Sequence, residues 1–308
     1  MQGRRRMRRP PANARGAQDA CRACATVPAL VLLSASDKNT VVRQSRPTAD
    51  NLYWASWFTA PGVTLFREGP MYYEHFAKHR CTRVGGGMVL ALFRKLSRWA
   101  AMDTSPNPRV LEIGLGRGVF ARCLQERFGE GLRYTAIEPN ATLRRTGIDA
   151  GLRVVDGLVP PLPPELAGET YDLVIMSHLL EHLMNYREAL QLLGEIRNRL
   201  TPDGALLLFY PDYLDYGADY FDVDYSHELI LTKARVRDLL DDCGFDIVRE
   251  EGLRACFHRL GLFGWLLSRG IDALTGPLWQ STGRKVFRKA KITFKRNQLA
   301  IARPRAEQ

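Results

Sequence analysis

Between residues 109 and 249 two kinds of apolar pattern take turns along the chain. Short apolar runs rich in Val, Ile, Leu and Tyr occur at 109–113, 133–137, 152–155, 171–176, 205–210 and 245–249, with the length and make-up of strands. Between them, apolar residues recur at three- and four-residue spacing over 120–128, 141–150, 186–200 and 233–243, as on helices with one buried face. Strands alternating with helices predict an α/β fold on a doubly wound, mostly parallel sheet. Two further helices are predicted ahead of it, at 71–79 and 88–100. The second carries Leu90, Phe93, Leu96 and Ala100 on one face, and a polar, proline-containing break follows at 103–108.

Outside that region the pattern changes. The first 25 residues have no apolar periodicity and read as a basic, disordered arm. The apolar run 27–33 follows a basic start and precedes small residues, as in a secretory signal. It includes Pro28, however, and lies some 26 residues in, so a strand or loop is the better reading; the Arg-rich start also fits an organellar transit segment. These patterns divide the chain into an arm (1–50), a helical extension (51–108) and an α/β domain (109–308) with a basic amphipathic insertion at 256–290.

The 308 residues carry a formal charge of +11, which first suggests an anionic partner. Its distribution alters that picture. Residues 1–22 hold seven arginines against one aspartate, 254–308 hold twelve basic against two acidic residues, and the stretch between is mildly acidic, 25 against 30. A polyanion groove is therefore not expected on the α/β domain, which argues against nucleic acid. Six scattered cysteines do not make a disulfide scaffold. The single pair Cys21-Arg-Ala-Cys24 lacks the second pair that a zinc site would need. No run of 18 apolar residues occurs, so a cytoplasmic protein without a membrane span is expected.

The strongest chemical signal is Val110-Leu-Glu-Ile-Gly-Leu-Gly-Arg-Gly-Val119, a strand running into Gly114, Gly116 and Gly118 at the start of a helix. Such a turn lets a ligand approach backbone N–H groups at a helix N-terminus. Twenty residues past Gly118, Glu138 closes the second strand, where a carboxylate can accept both hydroxyls of a ribose. A dinucleotide loop would place its third glycine at position 119, and Glu112 would repel a pyrophosphate. An acid there can instead pair with the ammonium of an amino-acid moiety. The spacing thus favours a nucleoside with an amino-acid tail over NAD, and an NAD-linked oxidoreductase becomes the alternative.

At these residues the sequence resembles the class I S-adenosylmethionine-dependent methyltransferases, most closely the small-molecule group that includes UbiG and UbiE. LEIGLGRGVF, AIEPN, VVDG, YDLVIMSHLLEHL, RLTPDGALLLFYPD and a late His-then-Gly-Phe segment follow one another in the family's order. The resemblance covers about 109–249. It implies a Rossmann-like seven-stranded sheet of order 3-2-1-4-5-7-6 with the last strand antiparallel, for which 290–302 is available. It also implies S-adenosyl-L-methionine as cofactor, with Glu112, Gly114, Gly116 and Gly118 at its methionine end, Glu138 at the ribose, Asp156 and Gly157 at the adenine, and Ser177 where cofactor meets acceptor. A degenerate member used as a binding scaffold is a non-enzymatic alternative.

His178-Leu-Leu-Glu181-His182 reads H-x-x-E-H, an inverted zinc-peptidase signature. Its place directly after a strand, where the resembling family carries L-E-H, argues against a peptidase, and no metal is expected. Imidazoles titrate near neutrality, so His178 and His227 are the candidate proton acceptors; His182 is a weaker third. The fourth strand ends in Met-Ser-His rather than an Asn/Asp-Pro-Pro-aromatic motif, and no Pro-Cys pair occurs. The expected acceptor is a small molecule, saccharide or lipid-linked intermediate. In the insertion, Leu260, Phe263, Leu267, Ile271 and Leu274 fall near one helical face, followed by a basic cluster. That suits a helix packed on the sheet or, alternatively, peripheral contact with an anionic membrane surface.

Overall fold

The structure, a computed structural model, describes residues 83–100, 106–254 and 261–306. The arm, the Cys21–Cys24 pair and the helix expected at 71–79 lie outside the described residues.

Helix α1 (Arg83–Ala100) leads into β1 (Arg109–Ile113), α2 (Val119–Phe128), β2 (Arg133–Ile137), α3 (Ala141–Asp149), β3 (Arg153–Val155) and β4 (Tyr171–Ser177). Then come α4 (Tyr186–Arg197), β5 (Leu200–Pro211), two short helices, α5 (Tyr213–Tyr216) and α6 (Asp219–Val223), and α7 (Lys233–Asp242). Strand β6 (Phe245–Leu253), α8 (Gly261–Thr282), α9 (Lys285–Thr293) and β7 (Asn297–Pro304) complete the described chain. The strands form one seven-stranded sheet in the order β3-β2-β1-β4-β5-β7-β6. Strand β7 runs antiparallel to both β5 and β6, and the pairs from β3 to β5 are parallel. This is the order and polarity that the resemblance implied.

Strand alternation divides the core into two layers. Leu111, Ile113, Ile137, Val174, Met176, Leu206 and Leu208 face one side, where Ala189, Leu192, Leu193 and Ile196 of α4 and Val236 and Leu240 of α7 cover them. Val110, Tyr134, Leu173, Ile175, Leu207 and Phe209 face the other, under Leu92 and Leu96 of α1 and Phe120 and Leu124 of α2. Burial on both faces explains why the central strands read as continuous apolar runs.

Two boundaries differ from expectation for identifiable reasons. The last strand begins at Asn297 rather than 290, because Lys285–Thr293 closes as a helix of its own. The helix predicted over 186–200 stops at Arg197, since Leu200 already pairs with Tyr171 at the start of a longer β5. The insertion also turns its apolar side outward. Gly264, Ser268 and Gly276 form the buried side of α8, while Leu262, Phe263, Leu266 and Leu274 are exposed. Of the face expected to pack on the sheet, Phe263, Leu267 and Leu274 are exposed and Ile271 is half-buried.

Candidate functional site

Parallel register brings the ends of four strands together. Ile113 sits beside Ile137 and Met176, and Ile137 beside Val155. The residues that follow them (114–118, 138–140, 156–157 and 177–182) therefore gather at the carboxyl edge of the sheet, where open α/β sheets bind ligands.

The glycine loop is held in the left-handed conformations that its composition allows. Gly114, Gly116 and Gly118 have φ of 81°, 52° and 62°, and Gly118 is the N-cap of α2. Nothing lies within 4 Å of a Cβ placed on Gly116, so its glycine is required by backbone conformation and not by space. The Gly114 N–H donates to the carbonyl of Ile137 at 2.9 Å. The Gly116 N–H donates to Glu138 Oε2 and the Asn140 N–H to Oε1, both at 2.9 Å. Glu138 is buried. Burial raises its carboxyl above the usual range, against the two backbone donors and Arg144. Each of its oxygens can still accept a second bond. Loop and acid are thus one unit before any ligand arrives.

Glu112 lies on the α1/α2 face of the sheet. It is buried and accepts a hydrogen bond from the Tyr134 hydroxyl at 2.6 Å. Burial pushes it up to about 8, with Glu138 adding to the rise and Tyr134 opposing it. Asp156 is exposed and pairs with Arg144 at 2.9 Å. The same guanidinium donates to the carbonyls of Glu138 and Pro139 at 2.8 and 3.0 Å, tying the ends of β2 and β3 together. A Cβ on Gly157 would stand 2.8 Å from Pro163 Cγ, so this position tolerates only glycine while Pro163 stays in place. Sequence reasoning passed over Asn140 and Arg144. The signal for Asn140 was present: it caps α3, accepting from the Leu143 N–H at 3.0 Å.

Ser177 ends β4 beside Phe209. His178 follows with φ of 52°, the one non-glycine residue in the left-handed region among the described residues, a conformation that costs about 1–3 kcal/mol. Its N–H donates to the Phe209 carbonyl at 2.7 Å, and its Nδ1 lies 3.1 Å from Glu181 Oε1. The H-x-x-E-H stretch is therefore no continuous helix. Only Leu180–His182 turns, as a short 3-10 segment, and His178 and His182 do not face a common point in the way a four-residue helical spacing would require. His182 Nδ1 instead approaches Ser226 O and Oγ, both at 3.1 Å. The His182 ring lies 4.9 Å from that of His227, whose Nδ1 is 2.6 Å from the Tyr220 carbonyl. His227 is buried, and burial lowers its basicity against the pull of Glu181. Glu181 is fully buried. Burial alone would raise its carboxyl, but the His178 hydrogen bond and the imidazoles of His178, His182 and His227 hold it below its usual range.

The acidic segment beyond β5 is tied down by basic residues that flank and end the insertion. Asp215 takes two bonds of 2.7 Å from Arg254 and a third from the Arg296 N–H. Asp212 accepts from Arg296 and Gln298, Asp219 pairs with Lys291 and Lys295, and Asp222 with Arg288. Much of the C-terminal positive charge is thereby paired within the chain.

Comparison with known proteins gives this geometry a class. The family model for a methyltransferase domain matches residues 73–263, starting inside the helical extension. The chain belongs to the methyltransferase-domain family, and its sheet order is that of the class I S-adenosylmethionine-dependent methyltransferases. Among similar solved structures, an Archaeoglobus fulgidus S-adenosylmethionine-dependent methyltransferase is 20% identical, with 76% of this chain and 100% of that one covered at a TM-score of 0.53. A Galdieria sulphuraria protein, provisionally described as a sarcosine dimethylglycine methyltransferase, is 16% identical over 76% of this chain and 92% of its own, at 0.52. Coclaurine N-methyltransferase, bound to N-methylheliamine and S-adenosylhomocysteine, is 15% identical over 73% of both chains, at 0.50. At these identities the likeness is one of fold. No curated protein matches the sequence.

Proposed function

We propose that the protein transfers a methyl group from S-adenosyl-L-methionine to an oxygen, nitrogen or carbon atom of a small-molecule, saccharide or lipid-linked acceptor, as a UbiG/UbiE-like member of its family. The observation that carries the reading is the locked unit of Gly116 and Glu138 beside a buried acid, Glu112, whose charge is unfavourable until a cation reaches it. A ribose, bound through its hydroxyls to Glu138, and an ammonium beside Glu112 fit that unit. NAD has no ammonium to donate to Glu112 and would bring a pyrophosphate to the glycine loop instead. Asp156 and Gly157 take the adenine, Gly114 and Gly118 the methionine end, and Ser177 the junction with the acceptor.

The cofactor supplies a methyl group activated on a sulfonium; the protein's share is position and proton removal. His178 Nδ1–H donates to Glu181, which leaves Nε2, on a partly exposed ring, to take the acceptor's proton. His227, which follows the acidic, aromatic loop after β5 that serves as the acceptor wall in this reading, is the second candidate. The intact loop and acids speak for retained cofactor binding, which a binding scaffold without catalysis would share. Calorimetric titration with S-adenosylmethionine and with NAD tests the reading: sub-millimolar binding of the first is expected, and binding of NAD alone would overturn it.

The outward apolar side of α8 supports a peripheral membrane contact through which a lipid-linked acceptor would reach the site. Among the described residues no helix is long and apolar enough to cross a membrane. With much of the nearby positive charge paired internally, apolar insertion should dominate. Co-sedimentation with vesicles should survive 0.5 M salt, roughly the range where surface charge attraction is screened, and fall on Phe263→Ser with Leu266→Ser. Binding unchanged by that pair of substitutions would sink the idea.

A further inference from the structure

We propose that Glu181, His182 and His227 form a binding site for one first-row divalent metal ion of the zinc class. A candidate ligand atom of each lies within 4.8 Å of those of the other two. The two segments that carry them are laced together: the N–H groups of Glu228 and Leu229 donate to the Glu181 carbonyl at 2.9 and 3.1 Å, and the Tyr220 hydroxyl donates to the Leu229 carbonyl at 2.6 Å.

The imidazoles are set up as ligands. A carbonyl can only accept, so the partners Ser226 O and Tyr220 O place the ring proton on Nδ1 of His182 and His227. Each Nε2 then carries the lone pair. Donation of the remote ring N–H to a backbone carbonyl is the usual second support of a metal-bound histidine. Ser226 is held in turn, its hydroxyl donating to Asp224 Oδ1 at 2.7 Å.

The carboxylate provides an independent observation. Glu181 is wholly buried, His178 binds its Oε1, and its Oε2 has no hydrogen-bond partner. An unsatisfied buried carboxylate oxygen costs several kcal/mol of lost hydration, which a cation would return. Tetrahedral ligands at about 2.1 Å from zinc stand ~3.4 Å apart, so closure needs side-chain shifts of about 1 Å. Two imidazoles and one carboxylate suit zinc, cobalt or iron(II) rather than magnesium or calcium, which prefer all-oxygen sites. Three protein ligands leave a fourth position for water or an acceptor oxygen.

The test uses the full chain with Cys21→Ser and Cys24→Ser, so that this closely spaced thiol pair cannot take the metal, free of any histidine tag and stripped with a chelator. Dialysis against zinc chloride, followed by elemental counting, should return one equivalent per chain. Cobalt(II) chloride should give visible ligand-field bands without a thiolate charge-transfer band. Glu181→Gln and, separately, His182→Ala should weaken cobalt affinity at least tenfold while the circular dichroism spectrum is kept. If either variant unfolds, the metal content and cobalt spectrum of the parent decide alone. Failure of the folded parent to retain zinc, or a Glu181→Gln protein that binds cobalt as tightly as the parent, would overturn the assignment.

Discussion

Glu112→Gln separates the stability of the ligand-free domain from its affinity for cofactor. The ordinary value for a glutamate is 4.5, and in the folded protein burial holds Glu112 near 8. Between those values the folded chain keeps a proton that the unfolded chain has lost. Stability from this group is therefore full below 4.5 and is lost as pH rises through 8. Integrating one proton from pH 5.5 to 7.5 removes about 2.5 kcal/mol from the parent. Glutamine fills the same space, can accept from Tyr134, and does not titrate, so the variant lacks this loss. Other groups titrate in the window, but they are common to both proteins and cancel in the difference. Urea unfolding of parent and variant at the two pH values measures it directly. The variant should gain about 2.5 kcal/mol on the parent over that interval, and a gain below about 0.5 kcal/mol would refute a buried, proton-retaining Glu112. An ammonium brought next to Glu112 favours its charged form. Cofactor binding to the parent should accordingly release protons near pH 7 and tighten toward pH 8, and the variant should do neither. Calorimetry in buffers of different ionisation enthalpy reads the proton count.

Other substitutions probe the frame around the site. Gly116→Ala meets no steric obstacle but must hold an alanine at φ 52°, so it should cost about 1–2 kcal/mol in unfolding free energy and weaken cofactor binding more than tenfold by titration. Arg254→Met removes the two-bond partner of Asp215, whose carboxyl sits below its usual range because Arg254, the Arg296 N–H and Arg269 outweigh burial. A loss of about 3–5 kcal/mol is expected by urea unfolding. Asn185→Ala removes the cap that accepts from the Arg187 and Glu188 N–H groups of α4, and should lower stability by about 1 kcal/mol with cofactor affinity unchanged.

The cofactor half was legible because its determinants are local. Strand, glycine loop, helix, strand and acid follow one another within 109–138, and β1 and β2 occupy the predicted residues. Asp156 could be placed after β3, but its partner Arg144 could not, since nothing in a helical pattern marks which arginine turns toward a neighbouring strand. The acceptor half was hidden for a different reason. His182 and His227 are 45 positions apart, and the pairing of Asp212, Asp215, Asp219 and Asp222 with residues 254–298 joins segments whose charges looked independent along the chain. Position 178 resisted prediction too: a histidine at positive φ breaks the helix that H-x-x-E-H would otherwise suggest.

The ion pairs between the loop after β5 and the insertion bear on how such an enzyme changes over generations. Residues 109–157, with β4, hold the glycine loop and Glu138 by themselves, whereas 212–222 depends on bases supplied from 254–296. A recombination that exchanged 254–298 would have to carry matching aspartates with it, or the loop after β5 would lose its anchors. The two stretches are thus bound to be inherited together and can be replaced only as a pair, while the glycine loop stays as it is.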